Sequence, residues 1–313
     1  MPSPPKPANR TKGIFLLALA IVTLFGVSHL GRHWLSSRHP ATESPPPFSN
    51  QRIIALSPSS VEIIYQLGLD DQLVGISRYC SFPPEAAEKS VVGGYLDLDF
   101  EKVLRLHPDT VILLREQKAL AERLEQLGID TLSVDHASTT GITQSITEIG
   151  EAFGKDQIAN DIVNKIEDRL NQITATKDQR EQKFRVLISI DRDTSAAHPD
   201  YLIAAGQEGV HQEYLAMVGA INAYDGPAAY PSISREKLIH LDPDIIIDLI
   251  DADTWKKVGE EKLLAQWSAY SELKAVQNGR IIILHEQRHM IPGPRFVDTV
   301  ETISQALRSL PSP

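Results

Sequence analysis

The residue types with most to offer chemically are aromatic and cationic, and they gather where apolar runs end. Tyr79, Phe82, Tyr95, Tyr201, Tyr224 and Tyr230 occupy such segments beside Arg78, Arg192, Arg288 and Arg295. Aromatic faces with a few guanidinium groups suit a large, flat, partly anionic ligand, gripped by stacking and charge. Catalysis would need other ingredients. The sequence has no G-x-S-x-G elbow, no Gly-rich phosphate loop ending in Lys-Ser/Thr, no H-E-x-x-H and no G-x-G-x-x-G after a strand. Its ten histidines are scattered. His107 and His240 close helical stretches, ordinary places for a residue that meets a helix dipole. His285 and His289 lie four apart, but the Glu-Gln-Arg between them and the Ile-Pro after them read as loop, so no metal pair is expected. The expectation is a binder rather than an enzyme, with no cofactor of its own.

What must hold these side chains is an alternation of short apolar runs and amphipathic stretches that begins at Arg52. Residues 52–56 (RIIAL), 73–77 (LVGIS), 110–114 (TVILL) and 131–134 read as strands. A helix opening in 57–62, with Ser59 and Glu62 spaced as a capping box, runs to Leu67 and stops at Gly68; a second covers 119–127 and stops at Gly128. The same grammar returns after residue 184, with strands at 185–190, 244–249 and 280–284 and helices around 209–218, 235–241 and 296–308. Strands alternating with helices imply parallel sheets covered on both faces, which bind ligands in the loops beyond their C-terminal strand ends. The tyrosines and arginines fall in those loops.

The two halves also repeat each other. Residues 100–114 (FEKVLRLHPDTVILL) and 235–249 (REKLIHLDPDIIIDL) share seven identities at an offset of 135, and Tyr95 meets Tyr230 at the same offset. A helix-Pro-Asp-strand unit is common, yet this density of identity points to duplicated lobes. Between them, residues 156–181 lack Gly and Pro and carry Ile158, Ile162, Ile166, Leu170 and Ile173, a helical stripe. The expected architecture is α/β: an N-terminal lobe at 51–150, a helical link at 151–183 and a C-terminal lobe at 184–313, both lobes built on parallel sheets with a ligand cleft between them.

Residues 1–50 are of another kind. Residues 1–12 carry Lys6, Arg10 and Lys12 and no acid, and residues 13–30 are an uncharged run of 18. As a helix that run reaches ~27 Å, enough to cross a hydrocarbon core. Its exit lacks the small-residue pair of a cleavage site, and no cysteine follows to carry a lipid. The expectation is a cytoplasmic N-terminus at 1–12, an anchor or uncleaved signal in the cytoplasmic membrane at 13–31, and a Pro-rich tether at 32–50. The slight excess of positive charge before the span leaves the folded part outside. Of 31 basic and 41 acidic residues, residues 1–50 hold five and one, so 26 face 40 beyond them. That balance argues against a nucleic-acid partner. The one cysteine, Cys80, excludes an internal disulfide and any multi-cysteine metal site.

Taken in order, RIIALSPSSVEIIYQLG, RYCSFPPEA, GGYLDLDFEKVLRLHPD, YPSISREKLIHLDPD and PGPRFVDTVETI resemble the class III periplasmic substrate-binding proteins. These are the helical-backbone receptors that serve ABC importers of cobalamin, ferric siderophores and haem. The resemblance covers residues 52–307, and RYCSFPPEA and GGYLD are most similar to the cobalamin-binding branch. It implies two lobes joined by one long helix, a monomer that captures a metal chelate in the cleft, and delivery to a permease dimer with its ATPase. By resemblance Tyr79, Tyr95 and Tyr230 line the ligand, with Arg78 and Arg288 as further contacts; the family often has tryptophan where Tyr95 and Tyr230 stand. Glu101 and Glu236 match the two carboxylates that dock on the permease. Cobalamin is favoured over siderophore or haem. A membrane-anchored ligand sensor is the reading from another class, weakened because twelve residues cannot form a cytoplasmic signalling domain.

Overall fold

Ile53–Ala55 (β1) is a short apolar run buried on both faces, and it takes a parallel partner on each side: Leu73–Ile76 (β2) and Thr110–Leu114 (β4). Ser90–Val91 (β3) adds beyond β2 and Asp130–Val134 (β5) beyond β4, giving a five-stranded parallel sheet in the order β3-β2-β1-β4-β5. The computed structural model describes residues 51–94, 97–176, 182–197 and 199–311. The proposed anchor and tether therefore lie outside the described residues, as does Tyr95. Among the described residues no helix is long and apolar enough to cross a membrane.

The first helix, Pro58–Gln66 (α1), starts differently from the expected capping box. Ser57 is the N-cap and accepts from the Ser60 amide, Pro58 fills the first turn, and Ser59 and Glu62 are both turned to other partners. Phe100–Arg105 (α2) precedes β4, and Lys118–Gln126 (α3) precedes β5. Thr139–Ala152 (α4), a helix the hydrophobic pattern did not single out, then leads into the long helix Asp156–Ala175 (α5). α5 has 20 residues and so spans ~30 Å. It buries Ala159, Ile166 and Ile173, half-buries Ile162 and Leu170, and leaves Ile158 exposed, so the stripe is shorter than expected. α4 and α5 touch so closely that a Cβ on Gly150 would collide with the Cβ of Ala159.

The second sheet is mixed, which corrects the expectation of two parallel ones. Arg185–Arg192 (β6) pairs in parallel with Ile245–Leu249 (β10), itself paired with Ile281–Leu284 (β11). On its other side β6 is shared. Its first residues pair in parallel with Ile221–Asn222 (β8), and its last pair antiparallel with Tyr201–Ala204 (β7). Ser232–Ser234 (β9) closes the edge antiparallel to β7. Val210–Val218 (α6) stands between β7 and β8, and Arg235–Leu241 (α7) precedes β10. Ala252–Val258 (α8), Glu260–Trp267 (α9) and Lys274–Gln277 (α10) connect β10 to β11. Gln287–Met290 (α11) and Phe296–Ser309 (α12) end the chain.

The repeat is structural down to single atoms. In each lobe a short helix is N-capped by a side chain 135 residues from its counterpart, Asp99 to the Lys102 amide and Ser234 to the Lys237 amide. Each helix ends on a non-glycine residue in the left-handed region, His107 at φ 44° and Asp242 at φ 40°. Each following Asp clamps the first strand of its sheet, Asp109 accepting from the Arg52 amide at 2.7 Å and Asp244 from the Arg185 amide at 2.8 Å.

Alternation along the strands sends residues to three apolar clusters, one on the outer face of each sheet and one shared between the lobes. Ile54, Leu56, Val111 and Leu113 pack on the outer face of the first sheet, and Leu187 and Ile246 on that of the second. Ile53, Ala55 and Ile112 join Val186, Ile188, Ile245 and Ile247 in one apolar cluster that also takes in Ile166 of α5 and Phe296 of α12. The long helix is thus one part of the joint, and a continuous core is the rest.

Candidate functional site

Parallel strands put all their C-terminal ends on one edge. In the first sheet that edge carries Ser57, Arg78 and Tyr79, Gly93 and Gly94, Arg115, and Asp135 with His136. In the second it carries Asp193 after β6, Asp251 after β10, His285 after β11 and, because β7 runs the other way, Tyr201 at its start. The two edges touch. Gln287 donates to Ser81 at 2.8 Å, and the Glu213 carboxylate accepts from the Thr139 amide and hydroxyl at 2.7 and 2.5 Å. Gly293 lies against Ser59, close enough that a Cβ there would be 3.1 Å from the serine's.

Arg295 is the centre of this contact. Its guanidinium forms a forked pair with Glu62 of α1 at 2.8 and 2.6 Å and lies over the Phe82 ring, 3.6 Å from its centroid. Glu62 is 2 % exposed. Burial pushes its pKa up, and the hydrogen bonds and charge of Arg295 pull it back. One arginine thereby fixes the first helix of one lobe and the aromatic loop at 78–84 from the other lobe.

Beside it, Ser59 and the His136 Nδ1 are 2.5 Å apart, and the His136 Nε2 is buried without a hydrogen-bond partner among the described residues. Burial holds His136 down to about 4. His211, on α6 of the other lobe, is held down to about 4 by the same cause. Cys80 is buried against Ser77, and burial raises its thiol to about 11, which keeps it protonated and inert.

The sequence-predicted ligand residues divide. Tyr79, Tyr201 and Tyr230 are 65 %, 56 % and 56 % exposed, more than any other large apolar side chain among the described residues, so three rings face solvent with little to cover them. Tyr79 and Tyr201 stand on the strand-end edges. Tyr230 sits at the other end of β9, its hydroxyl near Gly209 at the start of α6, which places it beside the lobe junction rather than on the edge. None of the four arginines is a bare cation. Arg78 pairs with Asp97 at 2.7 Å, Arg288 with Glu286 at 2.6 Å, and Arg295 with Glu62. Arg192 is wholly buried against Asp248 at 2.8 Å and takes no part in the edge. His285 stacks flat on Trp255, ring centroids 3.9 Å apart, while His289 is buried and bonded to Thr299, so the two do not converge. Among the described residues no group of three or more metal-ligating side chains comes together. Glu101 and Glu236 stand exposed in the first turns of α2 and α7; hydrogen bonds from its own amide and from Ser234 hold Glu236 below the usual carboxylate range.

His136, Thr139 and Glu213 were not picked out by sequence, and Ser59 and Glu62 only as a capping box. One signal was present: Glu62 is an acid inside an apolar run (VEIIYQL), and a buried acid needs a cation somewhere in the chain.

Exposed aromatic rings beside a contact between two repeat-related lobes can grip a flat ligand. Residues 53–288 match the periplasmic binding protein family. The chain belongs to that family. Family membership makes it a substrate-binding protein of transport rather than an enzyme, and puts its folded part outside the cytoplasm. It is 29 % identical over 267 residues to an uncharacterized ABC transporter substrate-binding lipoprotein of Bacillus subtilis, covering 82 % of this chain and 80 % of that one. It is 26 % identical to the vitamin B12-binding protein of Vibrio cholerae, covering 84 % and 91 %. The solved structure of periplasmic vitamin B12 binding protein BtuF of Vibrio cholerae superposes with a TM-score of 0.70 at 25 % identity, covering 83 % of this chain and 97 % of that one.

Proposed function

We propose that this periplasmic binding protein captures a metal chelate of the cobalamin class and delivers it to an ABC permease dimer driven by its ATPase. The observation that carries the reading is the set of exposed rings, Tyr79 and Tyr201 on the facing strand-end edges and Tyr230 by the lobe junction, in a chain whose relatives include vitamin B12-binding proteins of similar length. Tyr79, Tyr95 and Tyr230 line the corrin, and Arg78 and Arg288 meet polar groups at its rim while their carboxylate partners hold them in place. Residues 13–31 anchor the protein to the cytoplasmic membrane, residues 32–50 tether it, and lobes at 51–150 and 184–313 flank the link at 151–183. It works as a monomer, with Glu101 and Glu236 meeting basic residues of the permease.

Titration of the protein with cyanocobalamin, followed by the visible spectrum, tests the ligand. Saturable binding that falls about tenfold in Tyr79→Ala or Tyr230→Ala is the expected result. Binding of haem or a ferric siderophore with no response to cyanocobalamin would move the protein to another branch of the family. For docking, Glu101→Lys with Glu236→Lys is expected to abolish uptake and leave ligand affinity intact.

A further inference from the structure

Resting on the docking reading above, we infer that each lobe meets the permease through a three-residue helix face, an acid, an aliphatic and a base, and not through a lone carboxylate. The faces are Glu101, Leu104 and Arg105 on α2, and Glu236, Ile239 and His240 on α7. Residues at i, i+3 and i+4 share one side of a helix, so each set forms a single patch. The two patches are repeat-related at the offset of 135, and their burial runs in the same order. The first two positions are exposed, the third (Val103 or Leu238) is buried, and the next two are exposed.

The aliphatic residue is the informative one. Leu104 is 43 % exposed and Ile239 36 %. The other aliphatics of the two helices are buried, Val103 at 0 %, Leu238 at 1 % and Leu241 at 3 %. A single exposed leucine has no meaning by itself. Here the two lobes have diverged in strand direction and in core chemistry, yet both keep an uncovered aliphatic three residues after the docking acid. Neither Glu101 nor Glu236 forms an ion pair among the described residues, so each carboxylate is available to an outside cation. Repeat-related patches of this kind fit a twofold-symmetric partner whose two halves each offer a cationic side chain beside an apolar socket. The excess of acidic residues beyond residue 50, 40 against 26 basic, steers the protein toward such a surface.

The test measures binding of the full-length protein to the permease–ATPase complex of the same organism in lipid nanodiscs, across a salt series, with protein-free nanodiscs alongside. Leu104→Ser with Ile239→Ser is expected to weaken binding about tenfold at every salt concentration, because the apolar contribution is not screened. Each single variant should give about half that loss on a logarithmic scale. Glu101→Gln with Glu236→Gln is expected instead to flatten the salt dependence. Wild-type affinity in the aliphatic double variant, with the glutamine variant impaired, would overturn this inference and leave the docking reading standing. No effect from either pair would overturn the docking reading itself. Binding to protein-free nanodiscs that the serine variants abolish would assign the aliphatics to lipid and overturn the inference. Unchanged thermal unfolding of the variants keeps the comparison free of folding defects.

Discussion

The two lobes share a helix-Pro-Asp-strand unit, yet they use the fourth residue of its strand in opposite ways. At position 113 the first lobe buries a leucine on β4 in an apolar cluster. At the matching position 248 the second lobe buries an aspartate on β10, 0 % exposed, with Arg192 equally buried against it. Asp248 Oδ2 accepts from the Arg192 Nε at 2.9 Å and the Trp267 Nε1 at 3.0 Å, and Gln266 takes another Arg192 donor at 2.6 Å. The difference follows strand direction. β6 runs eight residues and carries β7 antiparallel along its last part, which brings Arg192 inside, whereas the short β1 has parallel neighbours only. Duplication preserved the unit that leads into β4 and β10, and what was built around it diverged.

The sharpest way to break that comparison is to make the second lobe resemble the first. Asp248→Leu leaves Arg192 charged and unpaired in the core and is expected to destabilise by about 3–5 kcal/mol in urea unfolding. Adding Arg192→Leu should recover most of the loss, as an apolar pair replaces an ionic one. Next in size is the pair shared between lobes. Arg295→Ala strands the nearly buried Glu62 and releases the Phe82 stack, with an expected cost of about 3 kcal/mol in the same measurement. The matching loss in Arg169→Ala, whose partners Asp298 and Glu301 are partly exposed, should stay below about 1 kcal/mol.

His136 in the first lobe and His211 in the second are both buried and neutral, and this predicts a pH dependence. His136 and His211 sit at about 4 in the folded protein against 6.5 for an unburied histidine. The unfolded chain therefore binds more protons between those values, so stability is full above pH 6.5 and is lost as pH falls toward 4. Each histidine should account for about 3 kcal/mol of that loss, and His136→Asn or His211→Asn should flatten the profile by its own share. The smallest expected effect compares the two strand clamps. Asp244→Ala, at a buried position, should cost about 1–2 kcal/mol, and Asp109→Ala, at an exposed one, less than about 1. Equal losses would mean that the clamp's surroundings do not matter.

Much of the fold was legible because it is written in local patterns. The strand at 110–114 and the helix at 235–241 were read to the residue, and the repeat was visible because seven identical residues, the clamping Asp109 and Asp244 among them, stand at one offset, whereas the caps Asp99 and Ser234 and the left-handed stops His107 and Asp242 differ in type. β3, β7, β8 and β9 were not found. They have two to four residues each, too few for a period to show, and they exist because a neighbouring strand offers them hydrogen bonds. α4 escaped notice because its Thr- and Ser-rich start, with Gly141 in the first turn, resembles a loop.

The sequence by itself determined the α/β alternation, the duplication, the loops that carry the tyrosines and the family to which the chain belongs. These rest on apolar periodicity and local backbone chemistry, which act within one or two turns. Only the tertiary structure decided that Arg295 closes on Glu62 across the lobes, that Arg192 is spent on Asp248 inside the core, that Tyr230 lies by the junction while Tyr79 stands on the edge, and that Leu104 and Ile239 are left uncovered. Each depends on which surfaces meet once the two sheets share a core. A charge or a ring has the same letter in the sequence whether it is buried, paired or free, and desolvation, which sets its role, is a property of the packed chain.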